Sequence, residues 1–243
     1  MNLIVDIGNT RTKFSVFNQN KEIFTDSVSE FLPSHVDNLL NSYPPISKAI
    51  LSSVRDYSFE LKEYLRKKFN PFIELDDTTP LPIEICYISK DTLGKDRVAA
   101  AVGAFYLFPY ANTLVIDAGT AITYDIVNKK GQYEGGNISP GIDLRFRALH
   151  QFTGRLPLVE KRNFQKLFGK TTVEAILAGV QHGVIYEVEG AIDRFKNSYK
   201  NLNVIITGGD AYFFDKKLKN SFFVRSNLIA IGLNRILEYN GGI

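Results

Sequence analysis

The chain has 243 residues, 44% of them hydrophobic and 23% charged, enough apolar material for a large core or for two lobes of about 110–130 residues each. Its 29 Lys and Arg against 26 Asp and Glu leave a formal charge of +3, too balanced to argue for a nucleic-acid or membrane-surface partner. The single cysteine, Cys86, excludes an intramolecular disulfide framework or a cysteine-based zinc cluster. No run of about 18 apolar residues occurs to span a membrane, and the N-terminus carries no signal-like pattern. A cytoplasmic location is therefore expected.

Leu3–Val5 reads as a buried strand that exits into Asp6, followed by the turn Ile7-Gly8-Asn9-Thr10 and a second strand, Lys13–Phe17. Gly8 lets backbone approach a ligand, and the turn's N–H and hydroxyl groups suit phosphate oxygens. A third strand, Glu22–Thr25, precedes a helix from Pro33 to Tyr43, which Pro44-Pro45 ends. A strand at Ala49–Val54, a helix at Phe59–Phe69 and a short strand at Pro71–Leu75 complete an α/β layered lobe. The basic run Arg66-Lys67-Lys68 falls at a helix end, where cations suit the dipole.

Residues 83–96 form a connector containing Tyr87 and leading into Gly94-Lys95-Asp96-Arg97. The alanine-rich segment 98–107 behind it is expected to be a buried helix. On helix-start signals alone, Asp96 is a capping residue and Arg97 a solvated side chain. A buried helix directly behind them argues instead that these charges have partners. Cys86, beside Tyr87, is expected to be a buried structural thiol. Phe105, Tyr106, Phe108 and Tyr110 belong to the core or to a subunit contact.

The second half repeats the plan. Leu114–Ile116 runs into Asp117, then Gly119-Thr120 and the strand Ile122–Val127, a second strand–acid–glycine–threonine–strand unit. A hairpin turn at 128–131 leads to a third strand starting at Tyr133, expected to become a loop around Gly135, Gly136 and Gly141. A helix at 142–152 and a long one from Val173 to about Tyr199 follow, the latter capped by Thr171 or Thr172. Gly179 and Gly183 inside it signal a close contact or a ligand. Val204–Thr207 is a strand ending in Gly208-Gly209-Asp210; a helix at 211–218, a strand at 222–224 and a closing helix at 228–239 finish the chain. His35, His150 and His182 lack metal-ligand spacing.

Two strand–acid turns facing a shared cleft suit a nucleoside triphosphate, the turns binding phosphate and the acids a metal or its waters. Neither common phosphate-loop string occurs. Asp6-Ile-Gly-Asn-Thr10, Gly94-x-Asp-Arg97, Asp117-x-Gly-Thr-Ala121, Gly135-Gly-x-x-x-Pro-Gly141 and Thr207-Gly-Gly209, in that order, resemble the motif set of type III pantothenate kinase. That family belongs to the superfamily of acetate and sugar kinases, heat-shock ATPases and actin. The resemblance implies a duplicated ribonuclease-H-like (actin-like ATPase) fold with two similar lobes around a nucleotide cleft. The lobes are expected at 1–112, including a substrate connector and interlobe helix at 83–110, and at 113–243.

It also implies ATP-dependent phosphorylation of pantothenate to 4'-phosphopantothenate, the first step toward coenzyme A, by a homodimer. Asp96 is then the general base. Asp6, Gly8, Asn9, Thr10, Lys13, Thr120, Gly208 and Gly209 bind ATP. Tyr87, Gly94, Lys95, Arg97 and Thr172 line the pantothenate site, Thr172 from the partner subunit. Asp117 holds a monovalent cation, potassium or ammonium, and Asp6 is a candidate for magnesium through water. Lys95 stands where the family often has a small residue, and Arg145, Arg147, Arg155, Lys161 and Arg162 receive no role. Two alternatives stay open: another small-molecule kinase of this fold, or a catalytically silent regulatory relative.

Overall fold

The computed structural model, which describes residues 1–241, starts with β1 (Asn2–Ile7), in which Asn2 to Val5 and Ile7 are buried. β1 lies at the centre of a five-stranded sheet with β2 (Thr12–Asn18), β3 (Lys21–Val28), β4 (Lys48–Ser53) and β5 (Phe72–Glu74), in the order β3-β2-β1-β4-β5. β1 runs antiparallel to β2 and parallel to β4. Its central run, Leu3–Val5, is apolar without alternation because both faces are covered, as expected of a strand with a parallel neighbour. Leu3 and Val5 pack with Val36 and Leu39 of α1 (Pro33–Ser42) and Leu61 and Leu65 of α2 (Phe59–Lys68). Ile4 and Ile50 face the other way, into a cluster with α3 (Lys95–Leu107) and α6 (Leu228–Asn240).

α3 and α6 approach closely because glycine stands at both crossing points. A Cβ on Gly103 would lie 2.5 Å from Leu228 O, and one on Gly232 would collide with Ala99 O. Arg97 through Ala104 of α3 are buried. Tyr106 lies under the Arg235 guanidinium, 4.3 Å from the ring centre, and is still partly open to solvent; Tyr110 is more exposed. Arg66, Lys67 and Lys68 do occupy the last turn of α2.

The chain packs into two compact units that are not consecutive in sequence. One comprises 1–110, 127–135 and the chain from Asn227 onward; the other comprises 111–126 and 136–226. The expected cut after residue 112 follows the repeat along the chain. Packing instead assigns α6 to the first unit, where Leu233, Ile236 and Leu237 cover Ile4 and Ile50.

In the second unit, β7 (Thr113–Ala118), β8 (Ala121–Val127), β9 (Gln132–Pro140), β10 (Asn203–Thr207) and β11 (Phe223–Val224) follow the order β11-β10-β7-β8-β9. The first residues of β9, which belong to the first unit, pair with β6 (Glu84–Ile85). Ile142 and Phe146 of α4 (Ile142–Gln151) and a stripe from Ile176 to Ile192 on α5 (Thr172–Ser198) bury against Leu114, Ile116, Ile122 and Ile206.

Four local expectations change. β9 continues through Gly135 and Gly136 to Pro140 instead of dissolving into a loop; Gly136 lies so near Tyr124 O that any side chain would collide. The helix expected at 211–218 is a single 3-10 turn, Ala211–Phe214, and Lys216 beyond it has a φ of 57°, which no right-handed helix tolerates. Cys86 is exposed: it follows the two-residue strand β6, and its backbone, not its thiol, makes the contact with Tyr133 O. Gly179 and Gly183 make no close packing contact among the described residues, with no atom within 4 Å of an added Cβ; Gly179 instead lines the hollow between α4 and α5.

Candidate active site

Asp6 is the fifth residue of β1, with Lys13 as its neighbour on β2 and Ser52 as its neighbour on β4. The antiparallel partner therefore places a cation beside the acid, and the parallel one a hydroxyl. The turn between the strands closes through the Gly8 N–H, which donates to Arg11 O at 3.1 Å. Asn9, Thr10, Arg11 and Lys13 are exposed around it. Amides, a hydroxyl and an ammonium at one strand end are the donors that phosphate oxygens require.

The connector residues assemble elsewhere in the same unit. Gly94 caps α3, and Lys95, Asp96 and Arg97 open it. A Cβ at Gly94 would stand 2.5 Å from Asp96 Oδ1, so glycine leaves the space into which the carboxylate turns. That oxygen accepts the Arg97 N–H at 2.8 Å, which orients it at a helix N-terminus, where negative charge is favoured. Arg97 is only 6% exposed, which rules out the solvated reading. Its guanidinium sits 5.8 Å from the Tyr87 ring centre, and Tyr87 packs edge-on to Tyr133. A Cβ on Gly135 would lie 3.6 Å from Tyr87, so the φ of 131° at Gly135 goes with a close approach of strand to ring.

In the second unit Asp117 is the fifth residue of β7, with Thr207 as its parallel neighbour on β10. Three segments lock around it. Gly119 N–H donates to Ala121 O, Gly141 N–H to Thr120 O and Asp210 N–H to Ala118 O, each at 2.9 Å. Gly208 has φ 91° and lies against Ala118 O and Asp117 Oδ1, with no room for a side chain. Gly209 next to it faces open space, as a residue against a nucleotide would. Thr172, the first residue of α5, follows the true cap: Thr171 Oγ1 accepts the Glu174 N–H at 3.2 Å. Thr172 is exposed and lines a mostly apolar hollow of about 710 Å³ between α4 and α5.

Oxygen donors beside each acid fit hard cations. Among the described residues no group of three or more His, Cys, Asp or Glu is placed to enclose a metal. The site therefore fits an ion held by one carboxylate, with water and substrate phosphates supplying the rest, as magnesium prefers.

Other residues gain partners that motif reading does not reach. Arg145 donates to Pro140 O and Ser139 Oγ at 2.9 Å each and to Glu187 at 2.5 Å. Tyr124 donates to the other oxygen of Glu187 at 2.8 Å. Burial alone would push the Glu187 carboxyl up, but the Arg145, Ser139 and Tyr124 donors outweigh it and hold the group below its ordinary value. Burial and the carboxylate raise Tyr124. Ser52 was visible in sequence only as a strand residue, and Thr207 only as the start of the Thr207-Gly-Gly209 string; what the structure adds is their register with the acids.

Comparison with known proteins shows the family. The family model described as type III pantothenate kinase matches residues 2–194. A type III pantothenate kinase of Bacteroides fragilis is 47% identical over 244 residues, covering 100% of this chain and 99% of its own. One from Christiangramia forsetii is 41% identical, with 99% of each chain covered. Among solved structures, a Campylobacter jejuni protein described as a conserved Baf family transcriptional activator superposes with a TM-score of 0.62 at 25% identity, covering 99% of this chain and 100% of its own. An Antarctic psychrotroph glucokinase reaches 0.56 at 13% identity over 98% of each chain; that likeness concerns the fold, the duplicated actin-like one.

Proposed function

The chain belongs to the type III pantothenate kinase family and phosphorylates pantothenate with ATP, the opening step of coenzyme A biosynthesis; within that activity we propose that Asp96 is the general base. Its carboxylate takes the proton of the pantothenate hydroxyl as that oxygen attacks the γ-phosphorus. The bond to the bridging oxygen breaks and ADP leaves. The observation that supports this role is the setting of Asp96 in the first turn of α3, held by the Arg97 N–H, with the Arg97 guanidinium near Tyr87. Gly94, Lys95, Arg97 and Tyr87 line the acceptor site in this reading. Arg97 orients the substrate through its fixed guanidinium.

Lys13, Thr10 and the turn amides of Gly8 and Asn9 bind phosphate oxygens, joined by Thr120; Gly208 and Gly209 lie against the nucleoside. Asp6 would hold magnesium through water and Asp117 a monovalent cation, and bound there the ions would supply positive charge to offset that of the phosphates. We further propose a cytoplasmic homodimer in which Thr172 of one chain completes the acceptor site of the other. Its support is the hollow beside Thr172, lined by Ala148, Leu149, Phe152, Ile176 and Val180, with Phe152 80% exposed. A face of this kind is ordinarily covered by a partner. The cut at 112/113 is proposed as the boundary between the two ribonuclease-H-like repeats.

The test is ATP consumption with pantothenate, with and without potassium, for the wild type and Asp96→Asn. Turnover that needs pantothenate and potassium, and falls by about 10³-fold in the variant, is expected. An Asp96→Asn enzyme within a few-fold of wild type would remove Asp96 from the base role; turnover indifferent to potassium and ammonium would remove the cation from Asp117. Sedimentation of the purified chain as a monomer at micromolar concentration would end the dimer proposal.

A further inference from the structure

The basic residues between Gly141 and Thr172 have no place in the motif set, and the structure separates them. Arg145 is committed to Glu187, Ser139 and Pro140 O. Lys161 stands apart: its ammonium bridges two acids from different segments, donating to Asp210 Oδ1 and lying 3.5 Å from Asp143 Oδ2. Asp210 follows the Gly208-Gly209 pair, and its N–H holds Ala118 O; Asp143 opens α4 just past Gly141, whose N–H holds Thr120 O. The segments that Lys161 joins are therefore the same ones that grip the β7–β8 turn from either side. The Asp210 side chain is only 13% exposed, so this acid sits largely out of water and needs a cation.

We propose that Lys161 is a positioning residue for ATP: it fixes the Gly208–Asp210 turn against the β7–β8 turn and cancels carboxylate charge that would otherwise repel the polyanion. The inference rests on the reading of these turns as the nucleotide site. Two effects act together. Rigid turns present their amides without reorganisation on binding. Neutralising a nearby acid raises the local affinity for negative charge. The flanking acids keep Lys161 protonated: burial would lower its pKa, but the Asp210 hydrogen bond and the charges of Asp210 and Asp143 outweigh that and raise it.

A plain tethering role for Lys161 is redundant. Residues 152–171 contain no helix or strand, yet they are anchored without it. Val159 is buried, Arg162 N–H donates to Gln181 Oε1 at 3.2 Å, and Glu174 accepts both Lys166 Nζ at 2.8 Å and Lys170 N–H at 2.9 Å. Loss of the Lys161 ammonium leaves these intact.

The experiment measures ATP binding by calorimetry and both KM values by coupled assay for wild type, Lys161→Met, Lys161→Arg and Asp143→Asn. Lys161→Met is expected to weaken ATP binding and raise KM for ATP by about five-fold, the scale of a partly exposed ion pair. KM for pantothenate and kcat should stay within about two-fold, and Arg should recover most of the loss. Unchanged ATP affinity in Lys161→Met, or an equal rise in both KM values, overturns the proposal. If the Met variant fails to fold, Asp143→Asn decides: with one acid removed beside a retained Lys161, ATP should bind as tightly as in wild type or tighter, and weaker binding would reject the charge argument. A wild type that binds ATP without pantothenate-dependent turnover refutes the acceptor while leaving the Lys161 comparison intact, because the binding titration needs no acceptor.

Discussion

In the first unit the turn after Asp6 closes only on itself, through Gly8 N–H to Arg11 O; in the second, the turn after Asp117 closes likewise, through Gly119 N–H to Ala121 O, and is held from outside as well by Gly141 and Asp210. The strands that lead into them match closely: each carries its acid at the fifth position, and their burial patterns are identical. Each also has a parallel neighbour whose hydroxyl residue is in register with the acid, Ser52 in one and Thr207 in the other. The repeat thus preserves the acid and its hydroxyl neighbour and varies the support of the turn. A self-closed, exposed turn can adjust to a phosphate chain, whereas a turn gripped on both sides is shaped before the ligand arrives. Ligand-induced ordering should accordingly concentrate in the first unit.

The sharpest way to break this comparison is to place a methyl group at each turn. Gly208→Ala must fit a Cβ against Ala118 O and Asp117 Oδ1 at a φ of 91°. It should destabilise the protein by about 3 kcal/mol or more and abolish measurable ATP binding. At Gly8 the added Cβ meets only Arg11 O, at 3.0 Å, and a turn free to relax should lose about 1 kcal/mol. Urea unfolding and ATP titration of the two variants check the difference. Equal effects would mean that the second turn is no more preformed than the first.

Next in size is the division of labour between the acids. Asp117→Asn should raise the potassium concentration for half-maximal activity by about ten-fold or more, with magnesium dependence little changed; Asp6→Asn should do the reverse. Titrating each cation against both variants tests this, and a shared loss of both dependences would show that the ions occupy one site.

A third contrast concerns Tyr–Glu–cation triads, one per unit. In the first, Glu74 accepts Tyr57 and Lys62, each at 2.5 Å; in the second, Glu187 accepts Tyr124 and Arg145. Burial would raise each carboxyl, and the donors outweigh it, so both lie below the ordinary value of 4.5. A lowered folded-state pKa means stabilisation that is complete above the unfolded value and is lost as pH falls through the folded one. Glu187→Gln should therefore cost about 1–2 kcal/mol at neutral pH and flatten the loss of stability below pH 4.5. Glu74→Gln, whose cation is a single lysine, should cost about 1 kcal/mol or less. Denaturant midpoints from pH 3 to 7 measure both; parallel acid limbs in wild type and Glu187→Gln would refute the assignment.

What could be read from the sequence follows from the range of the interaction that decides it. Strand–acid–turn units, the buried α3 and a cap at Thr171 or Thr172, which the structure resolves to Thr171, are set by residues within a few positions of one another. Features decided across the chain were out of reach. The 3-10 turn after Asp210 ends at Phe214, and Lys216 just beyond it takes a left-handed φ that no motif announces. Gly179 and Gly183 look like packing glycines but face open space, and Cys86 is exposed because the strand before it is two residues long. The partners of Arg145 and Lys161 lie 42 and 49 residues away, so spacing alone could give neither a role.

The smallest predicted effect tests the feature the two units share most closely. Ser52 and Thr207 are buried, and neither hydroxyl oxygen has a hydrogen-bond partner among the described residues; the same holds for Thr113, at the opposite end of β7 from Asp117. A buried hydroxyl without a partner is destabilising by about 1–3 kcal/mol relative to an apolar group of the same shape. Thr207→Val and Thr113→Val should therefore each raise stability by up to about 1 kcal/mol, since the methyl retains the packing. Ser52→Ala should gain less, because it also leaves a small void. Thr113 serves as the internal control, lying on the same strand but away from the acid. If both valine variants are stabilised and only Thr207→Val loses potassium activation, the hydroxyl beside Asp117 is retained for the ion at the expense of the fold. If Thr207→Val is stabilised and keeps wild-type cation dependence, register with the acid carries no function, and the likeness between the two strands is one of architecture alone.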